Sequence, residues 1–394
     1  MIKNNIHIVF VGAVTGPKFD HLYGNNSGAS FGGLRKMELM LSALLDFGAR
    51  VTVISTAVND VSSWGCRRGF SEWLVFDDKK VRCVYPGTIL QKPLGSAVLL
   101  ATGLLAAIQV RLKDVNGIIT YNAQSVEAAI CVGIRFHNSG ARLVIELDDL
   151  PDARDRGWNP KPFIDRLVVS WMLHRSNAVV AVNESICNHI GFNIKPDIIL
   201  PGIISRELIY SRQFRRPNFS GPNKIVGYAG GLSQERGTDR LLKAIPSLPA
   251  GWHMVIAGRG PMTRDFISAA AENPTKLTFR GSLNTSEVVN LYQNADVLVN
   301  TPESLSRPDA VFPFKIFEYL ASGASVVSSA LPRNGVVDTS LVETWDGQAQ
   351  TLADALLNEE RRWLNVRDRY NNIAEQLASE FSISAVGRKL LKLF

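Results

Sequence analysis

The chain has 394 residues, of which 46% are hydrophobic and 20% are charged, and its formal net charge is +7. This composition is that of a folded globular protein and excludes fibrous or intrinsically disordered chains. The length predicts two domains, and the basic balance favours anionic partners such as nucleotides, phosphorylated lipids, a membrane surface or nucleic acid.

Strand and helix patterns alternate along the first half of the chain. The predicted strands are residues 6–11, 50–55, 81–84, 117–121, 143–147 and 178–182, and the predicted helices are residues 34–47, 126–136 and 163–175. This alternation predicts an α/β fold, in which helices cover both faces of a parallel sheet.

A long polar segment separates the first strand from the first predicted helix and contains the glycine-rich run GASFGG at residues 28–33. A dinucleotide-binding fingerprint turns at once from strand to helix, so this spacing argues against NAD binding. The segment is interpreted either as a mobile surface loop or as a loop beside the acceptor or sugar of a bound ligand. In the second case Gly32, Gly33 and His21 are the candidate residues.

Residues 93–110 contain no charge and are almost as long as a membrane span. Polar residues and two glycines interrupt them, so we expect a buried or interface-facing helix instead. The N-terminal residues lack a signal peptide's apolar region, and the four cysteines lack zinc-ligand spacing. We therefore expect a cytoplasmic protein without structural zinc, with the option of peripheral contact with the inner face of the cell membrane.

Residues 202–222 are rich in arginine and proline and have little periodicity, which is typical of a linker. Strand and helix patterns then resume. The predicted strands are residues 224–229, 253–257, 277–279, 297–300 and 325–328, and the predicted helices are residues 238–245 and 286–294, with amphipathic helices over residues 352–394. The predicted division is a first domain over residues 1–201, a linker over 202–222, a second domain over 223–380 and a terminal helix over 381–394.

Three strand-to-helix turns in the second half have residues suited to one anionic ligand. Glycine amides can donate to a phosphate, and arginine or lysine can supply its countercharge. Because the carboxyl ends of parallel strands share one sheet edge, the three turns are predicted to lie together. They are the turn with Gly230, Gly231 and Arg236, the turn with Gly258 and Arg259, and the helix start with Lys315 and Glu318.

The alternative interpretation of Lys315 and Glu318 is an ordinary surface ion pair, which contributes little to stability. However, Lys315 lies in the first turn of its predicted helix, where the helix dipole already makes the potential positive. A bound phosphate would explain a cation at this position. Glu318, one turn further on, is then placed to accept hydrogen bonds from ribose hydroxyls.

The second half resembles the donor-binding domain of the retaining GT-B glycosyltransferases of the GT4-like group. The matching segments are GYAGGLSQERGTDRLLKAI, MVIAGRGP, LTFRGSLNTSEVVNLYQNADVLVNTPESL and FPFKIFEYLASGASVV, in the family's order and spacing. The first half resembles the family only in its layout. The resemblance implies two Rossmann-like domains facing a cleft, a C-terminal helix that crosses back to the first domain, and a nucleotide diphosphate sugar as the donor.

Site residues follow from the resemblance by position. Glu318 matches the glutamate that binds the ribose, and Arg236 stands where the family usually has a lysine that contacts the diphosphate. Gly281 lies in the turn beside the nucleobase, and Phe312 lies in the segment that enters the Lys315 helix. Arg236 and Lys315 are therefore candidate catalytic as well as donor-binding residues.

The sequence departs from the family pattern at two positions. Gly231 stands where the family commonly has an arginine, and Lys315 is a candidate to compensate for that lost charge. Ala310 stands where the first glutamate of the family's Glu-x7-Glu pattern is expected. Sugar recognition is then assigned to the backbone of residues 311–313 or to Asp309.

Three carboxylates, Glu146, Asp148 and Asp149, follow or end a predicted strand of the first half. Asp149 is the candidate to orient or deprotonate an acceptor hydroxyl. The alternative is that Asp149 caps the turn that begins at Pro151, which is a common use of aspartate.

The expected activity is transfer of a sugar, with retention, from a nucleotide diphosphate sugar to a saccharide or lipid-linked saccharide. We expect no cofactor, no metal ion and no nucleic-acid partner. An anionic membrane surface is an expected partner because of the basic balance and the apolar residues 94–110. Two alternatives are a nucleotide-sugar epimerase or hydrolase of the same fold, and a degenerate member that binds the nucleotide sugar without catalysis.

Overall fold

The computed structural model describes residues 6–23, 31–58, 65–89, 94–109, 114–148, 161–189, 194–212, 219, 221–302, 314–331 and 338–394. The chain divides into two compact units. The first unit is Met1–Ile203 with Ile383–Phe394, and the second unit is Ile204–Ser382. Each unit is built on its own parallel sheet with helices between the strands.

The first unit contains strands β1 to β10 and helices α1 to α6, among the residues that the structure describes. The strands are β1 His7–Gly12, β2 Arg50–Ser55, β3 Cys66–Arg67, β4 Phe70–Phe76, β5 Lys79–Tyr85, β6 Thr88–Ile89, β7 Gly117–Tyr121, β8 Arg142–Leu147, β9 Ala178–Ala181 and β10 Ile198–Ile199. The helices are α1 Pro17–Tyr23, α2 Phe31–Asp46, α3 Leu94–Gln109, α4 Ser125–His137, α5 Lys161–Arg175 and α6 Ser185–His189.

The sheet of the first unit has the order β10-β9-β8-β7-β1-β2-β5-β4. Its central strands are buried along their whole length, as expected for a sheet with helices on both faces. Only β4 runs antiparallel, because a tight turn with positive φ at Asp77 and Asp78 joins it to β5. The predicted parallel α/β architecture is therefore correct, and the sequence interpretation missed this edge hairpin.

The segment predicted as a loop between β1 and the first helix is helical in part of its described residues. It contains α1, and α2 begins early enough to include Gly32 and Gly33 in its first turn. The reason is a long-range contact, because the backbone amides of Lys18 and Phe19 donate to the Glu72 carboxylate of β4 at 3.0 and 3.2 Å. Such stabilisation by a residue more than fifty positions away is invisible to local sequence patterns.

The second unit contains helices α7 to α12 and strands β11 to β16, among the described residues. The strands are β11 Lys224–Ala229, β12 Trp252–Ala257, β13 Leu277–Phe279, β14 Val297–Asn300, β15 Ser325–Ser328 and β16 Glu343–Thr344. The helices are α7 Arg206–Arg212, α8 Thr238–Ala244, α9 Thr263–Glu272, α10 Thr285–Asn294, α11 Phe314–Ala321 and α12 Ala349–Phe381.

The sheet of the second unit has the order β13-β12-β11-β14-β15-β16, and every pair is parallel. From β11 the chain adds β12 and β13 on one side of the sheet. It then crosses back to place β14 on the other side of β11, followed by β15 and β16. This reversal between β11 and β14 is the switch point at which open α/β sheets commonly bind ligands.

The segment predicted as a linker belongs in part to the second unit. Helix α7 lies within it and packs on α10, and the Ile204 amide donates to the Phe381 carbonyl at 2.9 Å. The arginines that suggested a linker are thus partly the ends of a short helix.

The last helix, α13 Ile383–Leu391, belongs to the first unit, as the terminal helix was predicted to do. It packs on α2 so closely that a Cβ at Gly387 would lie 2.3 Å from the carbonyl oxygen of Ala43. Glycine is therefore required at this contact.

The uncharged segment of the first half forms α3, whose buried side includes Leu99, Gly103 and Ala107. Of the helices that the structure describes, none is both long and apolar enough to span a membrane. The interpretation of this segment as a helix packed on the domain is therefore correct.

Candidate functional site

Backbone hydrogen bonds join the first two predicted turns to each other and to the Gly281 turn at the carboxyl edge of the second sheet. The Gly230 amide donates to the Ala257 carbonyl at 3.0 Å, and the Leu232 amide donates to the Arg259 carbonyl at 3.0 Å. On the other side, the Gly258 amide donates to the Gly281 carbonyl at 2.7 Å. The ends of β11, β12 and β13 thus form one continuous edge, as the parallel arrangement predicted.

Gly258 is the point of closest approach between the first two turns. Its φ is +145°, and a Cβ at this residue would lie 1.8 Å from the Gly230 carbonyl oxygen. Residues other than glycine are strained in this conformation, and the neighbouring backbone cannot move without displacing the first turn.

We expect Gly258→Ala to lower the free energy of unfolding of the second unit by about 1–3 kcal/mol, because of this strain. Urea denaturation followed by circular dichroism measures the change. Gly231→Ala is the matched control, since a Cβ there would meet only the Arg236 side chain at 3.9 Å. Equal stability of the two variants would contradict the close approach at Gly258.

Lys315 lies in the first turn of α11 and its ammonium reaches the end of β11. Nζ donates to the Tyr228 hydroxyl at 2.7 Å and lies 3.9 Å from the centre of the Tyr228 ring. The Tyr228 hydroxyl donates in turn to the Gly231 carbonyl at 3.0 Å. Because a Cβ at Gly230 would lie 2.1 Å from Nζ, glycine at that position is what lets the ammonium approach the first turn.

The environment of Lys315 disfavours its charge. The pKa of Lys315 is lowered from 10.5 to about 7, mainly by desolvation and in addition by the nearby Arg236 charge, while Glu318 opposes the shift. A lysine whose charged form is disfavoured in this way is typical of a site that binds an anion. A bound anion would return the pKa of Lys315 to its ordinary value.

Arg236 ends a short 3-10 helix, Gln234–Arg236, directly before α8. Its side chain is exposed, and its carbonyl accepts from the Thr301 hydroxyl at the end of β14 at 2.7 Å. The backbone of Arg236 is therefore fixed to the strand on the far side of the switch point. Its guanidinium supplies a second positive charge near Lys315.

Glu318 lies one turn after Lys315 on α11 and is half-buried. The Tyr292 hydroxyl of α10 donates to Glu318 Oε2 at 3.3 Å. The Tyr292 ring packs edge-to-face on Tyr319 with centroids 5.2 Å apart. Aromatic packing thus orients the Glu318 carboxylate, and a carboxylate is the type of acceptor that ribose hydroxyls require.

The structure assembles most of the predicted donor-binding residues in the second unit. These are Gly230, Gly231, Arg236, Gly258, Arg259, Gly281, Lys315 and Glu318. Phe312, Asp309 and Ala310 lie outside the described residues, and so does Asp149. In the first unit, Gly32 and Gly33 belong to α2 and His21 is exposed on α1, so these three residues lie in helices and not in the predicted loop.

Lys36 is a residue that the sequence interpretation missed. It is 2% exposed on α2, and its ammonium lies 2.6 Å from Glu146 Oε1 and 2.6 Å from Asp148 Oδ1. The Tyr121 hydroxyl donates to Asp148 Oδ2 at 2.7 Å, and the Asp148 amide donates to Asn122 Oδ1 at 2.8 Å. These contacts form a buried charge cluster at the carboxyl edge of β7 and β8.

The two carboxylates raise the pKa of Lys36 above its ordinary value, against the opposing effect of burial. A helical periodicity could have revealed the residue, because Gly33, Lys36, Met37 and Met40 share the buried stripe of α2. Among the described residues, no group of three or more His, Cys, Asp or Glu side chains is arranged to hold a metal ion.

Residues 223–358 match the sequence profile of the family described as "Glycosyl transferases group 1". The matched region is about a third of the chain and lies within the second unit. No curated protein sequence matches the chain.

Solved structures match over nearly the whole chain. Sucrose-phosphate synthase from Thermosynechococcus elongatus aligns with a TM-score of 0.68 at 15% identity, over 98% of this chain and 98% of that chain. HepE from Anabaena, solved with UDP, aligns with a TM-score of 0.65 at 14% identity, over 98% and 99%. Starch synthase IV from Arabidopsis thaliana, with ADP and acarbose, aligns with a TM-score of 0.58 at 12% identity, over 99% and 98%.

The chain has two units, each built on a parallel sheet, and it aligns over nearly its whole length with solved structures that have the GT-B fold. Within the second unit, residues 223–358 are similar to the group 1 glycosyltransferases. The chain therefore has the fold of the GT-B glycosyltransferases, as the motifs in its second half predicted.

Proposed function

We propose that the protein transfers a sugar from a nucleotide diphosphate sugar to a saccharide or lipid-linked saccharide, with retention of the anomeric configuration. The observation that carries the proposal is the placement of Lys315 and Arg236 at the glycine-lined switch point of the second sheet. Two cations there meet the charge that collects on a diphosphate as the sugar departs.

The diphosphate would lie against the first turn of the second unit. Gly230 and Gly231 leave room for close approach, and α11 directs its amino-terminal end towards the same edge. In this proposal side chains and backbone amides neutralise the leaving diphosphate. HepE has been solved with UDP and with UDP-glucose, and starch synthase IV with ADP, so these nucleotides are the first to test here.

Glu318 is proposed as the ligand of the ribose hydroxyls. We expect Glu318→Gln to weaken nucleotide binding about tenfold, because the amide retains one acceptor oxygen but loses the charge that strengthens both hydrogen bonds. Isothermal titration calorimetry with the nucleoside diphosphate measures the change. Glu272→Gln, an exposed change at the end of α9, is the control, and an unaltered affinity of Glu318→Gln would remove the assignment.

The acceptor is proposed to bind the first unit at the carboxyl edge of β7 and β8. Asp148 is partly exposed there, and Lys36 and Tyr121 fix its orientation. Asp149, the next residue, remains the proposed group that orients or deprotonates the acceptor hydroxyl. Asp149→Asn should then reduce transfer while nucleotide affinity stays the same.

Product analysis with a radiolabelled nucleotide sugar tests the proposed reaction against its alternatives. Transfer to a saccharide acceptor, with the donor's anomeric configuration kept in the product by NMR, is the expected result. Release of free sugar with every acceptor would indicate a hydrolase, and an inverted product would overturn retention. Binding without turnover would indicate a non-catalytic binding protein.

A further inference from the structure

Helices α3, α4 and α5 of the first unit pack side by side, with α4 in contact with both neighbours. Large apolar side chains are exposed along all three, and we call this region the α3–α5 surface. Its exposed apolar side chains are Leu94, Leu100, Leu105, Val132, Phe136, Phe163, Ile164, Leu167 and Trp171. Nine of the fifteen exposed large apolar side chains among the described residues lie on these three helices, and such a concentration indicates an interaction surface, whereas single exposed apolar residues are normal.

The charged side chains that are exposed on these helices are basic. The three helices contain two carboxylates, Glu127 and Asp165, and both are buried. Asp165 accepts from the Ser125 amide and hydroxyl at the start of α4, so it has a role inside the layer. Arg166 and Arg175 are exposed on α5. Within the described ranges of α3, α4 and α5, the exposed side chains are therefore mainly apolar or basic and none is acidic.

Helix α5 combines the two types of side chain most closely. Phe163 is 66% exposed and Trp171 is 42% exposed, and the Arg175 guanidinium lies 5.1 Å from the Trp171 ring centre. Aromatic rings flanked by arginine are typical of helices that lie in the interface of a bilayer, where the rings enter the headgroup region and the cations meet lipid phosphates.

We propose that the α3–α5 surface docks the protein onto an anionic lipid bilayer. A second copy of this chain fits the surface poorly, because a twofold interface pairs the surface with itself and the three helices offer no exposed carboxylate to pair with Arg166 and Arg175. An anionic bilayer can accept the apolar side chains in its interface and pair the basic side chains with its lipid phosphates. This inference goes beyond the proposed sugar transfer and does not rest on it.

The test is flotation of the full-length protein with vesicles of equimolar phosphatidylglycerol and phosphatidylcholine. The protein is expected to float with these vesicles and to stay behind with vesicles of phosphatidylcholine alone. Raising the salt to about 1 M should release most of it, since the Debye length falls to about 3 Å. Phe163→Ala combined with Trp171→Ala should lower the vesicle partition coefficient at least tenfold at low salt.

Trp73→Ala is the matched control, because Trp73 is 63% exposed on β4, outside the α3–α5 surface. Calorimetry with the nucleotide should give the same affinity for all variants, which separates membrane docking from the donor chemistry. Flotation that is equal with and without the anionic lipid, or that survives the double substitution, would overturn the proposal. A dimer that the double substitution dissociates would instead assign the surface to a contact between copies.

Discussion

Replacing Lys315 with methionine is expected to lower kcat about ten- to a hundredfold while nucleotide affinity falls less. The loss corresponds to about 1.5–3 kcal/mol, the usual contribution of a hydrogen bond to a charged group. The effect concentrates on kcat because the charge on the diphosphate grows as the sugar leaves, so the ammonium stabilises the transition state more than the bound donor. Steady-state kinetics with saturating donor measures it.

Arg236→Ala should produce a similar loss, and the double variant should lose less than the two single losses combined, because both cations act on one group. Arg236→Lys should keep much of the activity. Lys243→Ala is the control, since Lys243 is an exposed lysine of α8 paired with Asp239 at 3.0 Å. If the Lys315 and Arg236 variants turn over donor at the parent rate, the two side chains are ordinary surface charges and the proposed catalytic role is wrong.

Titration of Lys315 offers a second test of its proposed contact with the donor diphosphate. Because its folded-state pKa is lowered to about 7 and an unfolded lysine titrates near 10.4, the unfolded state binds more protons between these values. This group therefore makes stability rise with pH across that window. A bound diphosphate reverses the shift, so nucleotide binding at pH 8 should take up a proton.

Calorimetry in buffers of different ionisation enthalpy detects this uptake. It should disappear in Lys315→Met, because the substitution removes the amine that takes up the proton. Proton uptake that persists in the variant would place the titrating group elsewhere.

The donor edge could be predicted because its signals are local. A buried strand, a glycine turn and a helix start each fit within about fifteen residues, and the parallel rule then brings the turns together. The strand Ser325–Ser328 and the first-turn position of Lys315 followed from such patterns. The contact between Lys315 and Tyr228 did not, because it joins residues 87 positions apart.

The first unit was harder to predict for the same physical reason. Helix α1 depends on Glu72 from a distant strand, and the hairpin of β4 and β5 lies at a sheet edge with alternating exposure. Lys36 resembles a solvated lysine in the sequence, and its partners Glu146 and Asp148 lie over a hundred residues away. The buried ion pairs of Lys36 were therefore harder to predict from the sequence than the other features of the first unit.

Lys36→Met is expected to lower the free energy of unfolding of the first unit by about 3–5 kcal/mol, because it leaves Glu146 and the inner oxygen of Asp148 without a countercharge. Urea denaturation at neutral pH measures the loss. Arg35→Met is the matched control on the same helix, since the Arg35–Glu38 pair is partly exposed at 3.8 Å and should contribute less than about 1 kcal/mol.

Two further measurements separate charge pairing from simple packing. Adding Glu146→Gln to Lys36→Met removes the buried charge and should recover part of the lost stability, whereas a packing defect would gain nothing. The pKa of Lys36 is raised in the folded state, so its contribution is complete below the unfolded lysine pKa of about 10.4 and declines as the pH rises above it. The stability difference between the parent and Lys36→Met should therefore narrow at alkaline pH, and a difference that stays constant there would contradict the ion-pair origin of the effect.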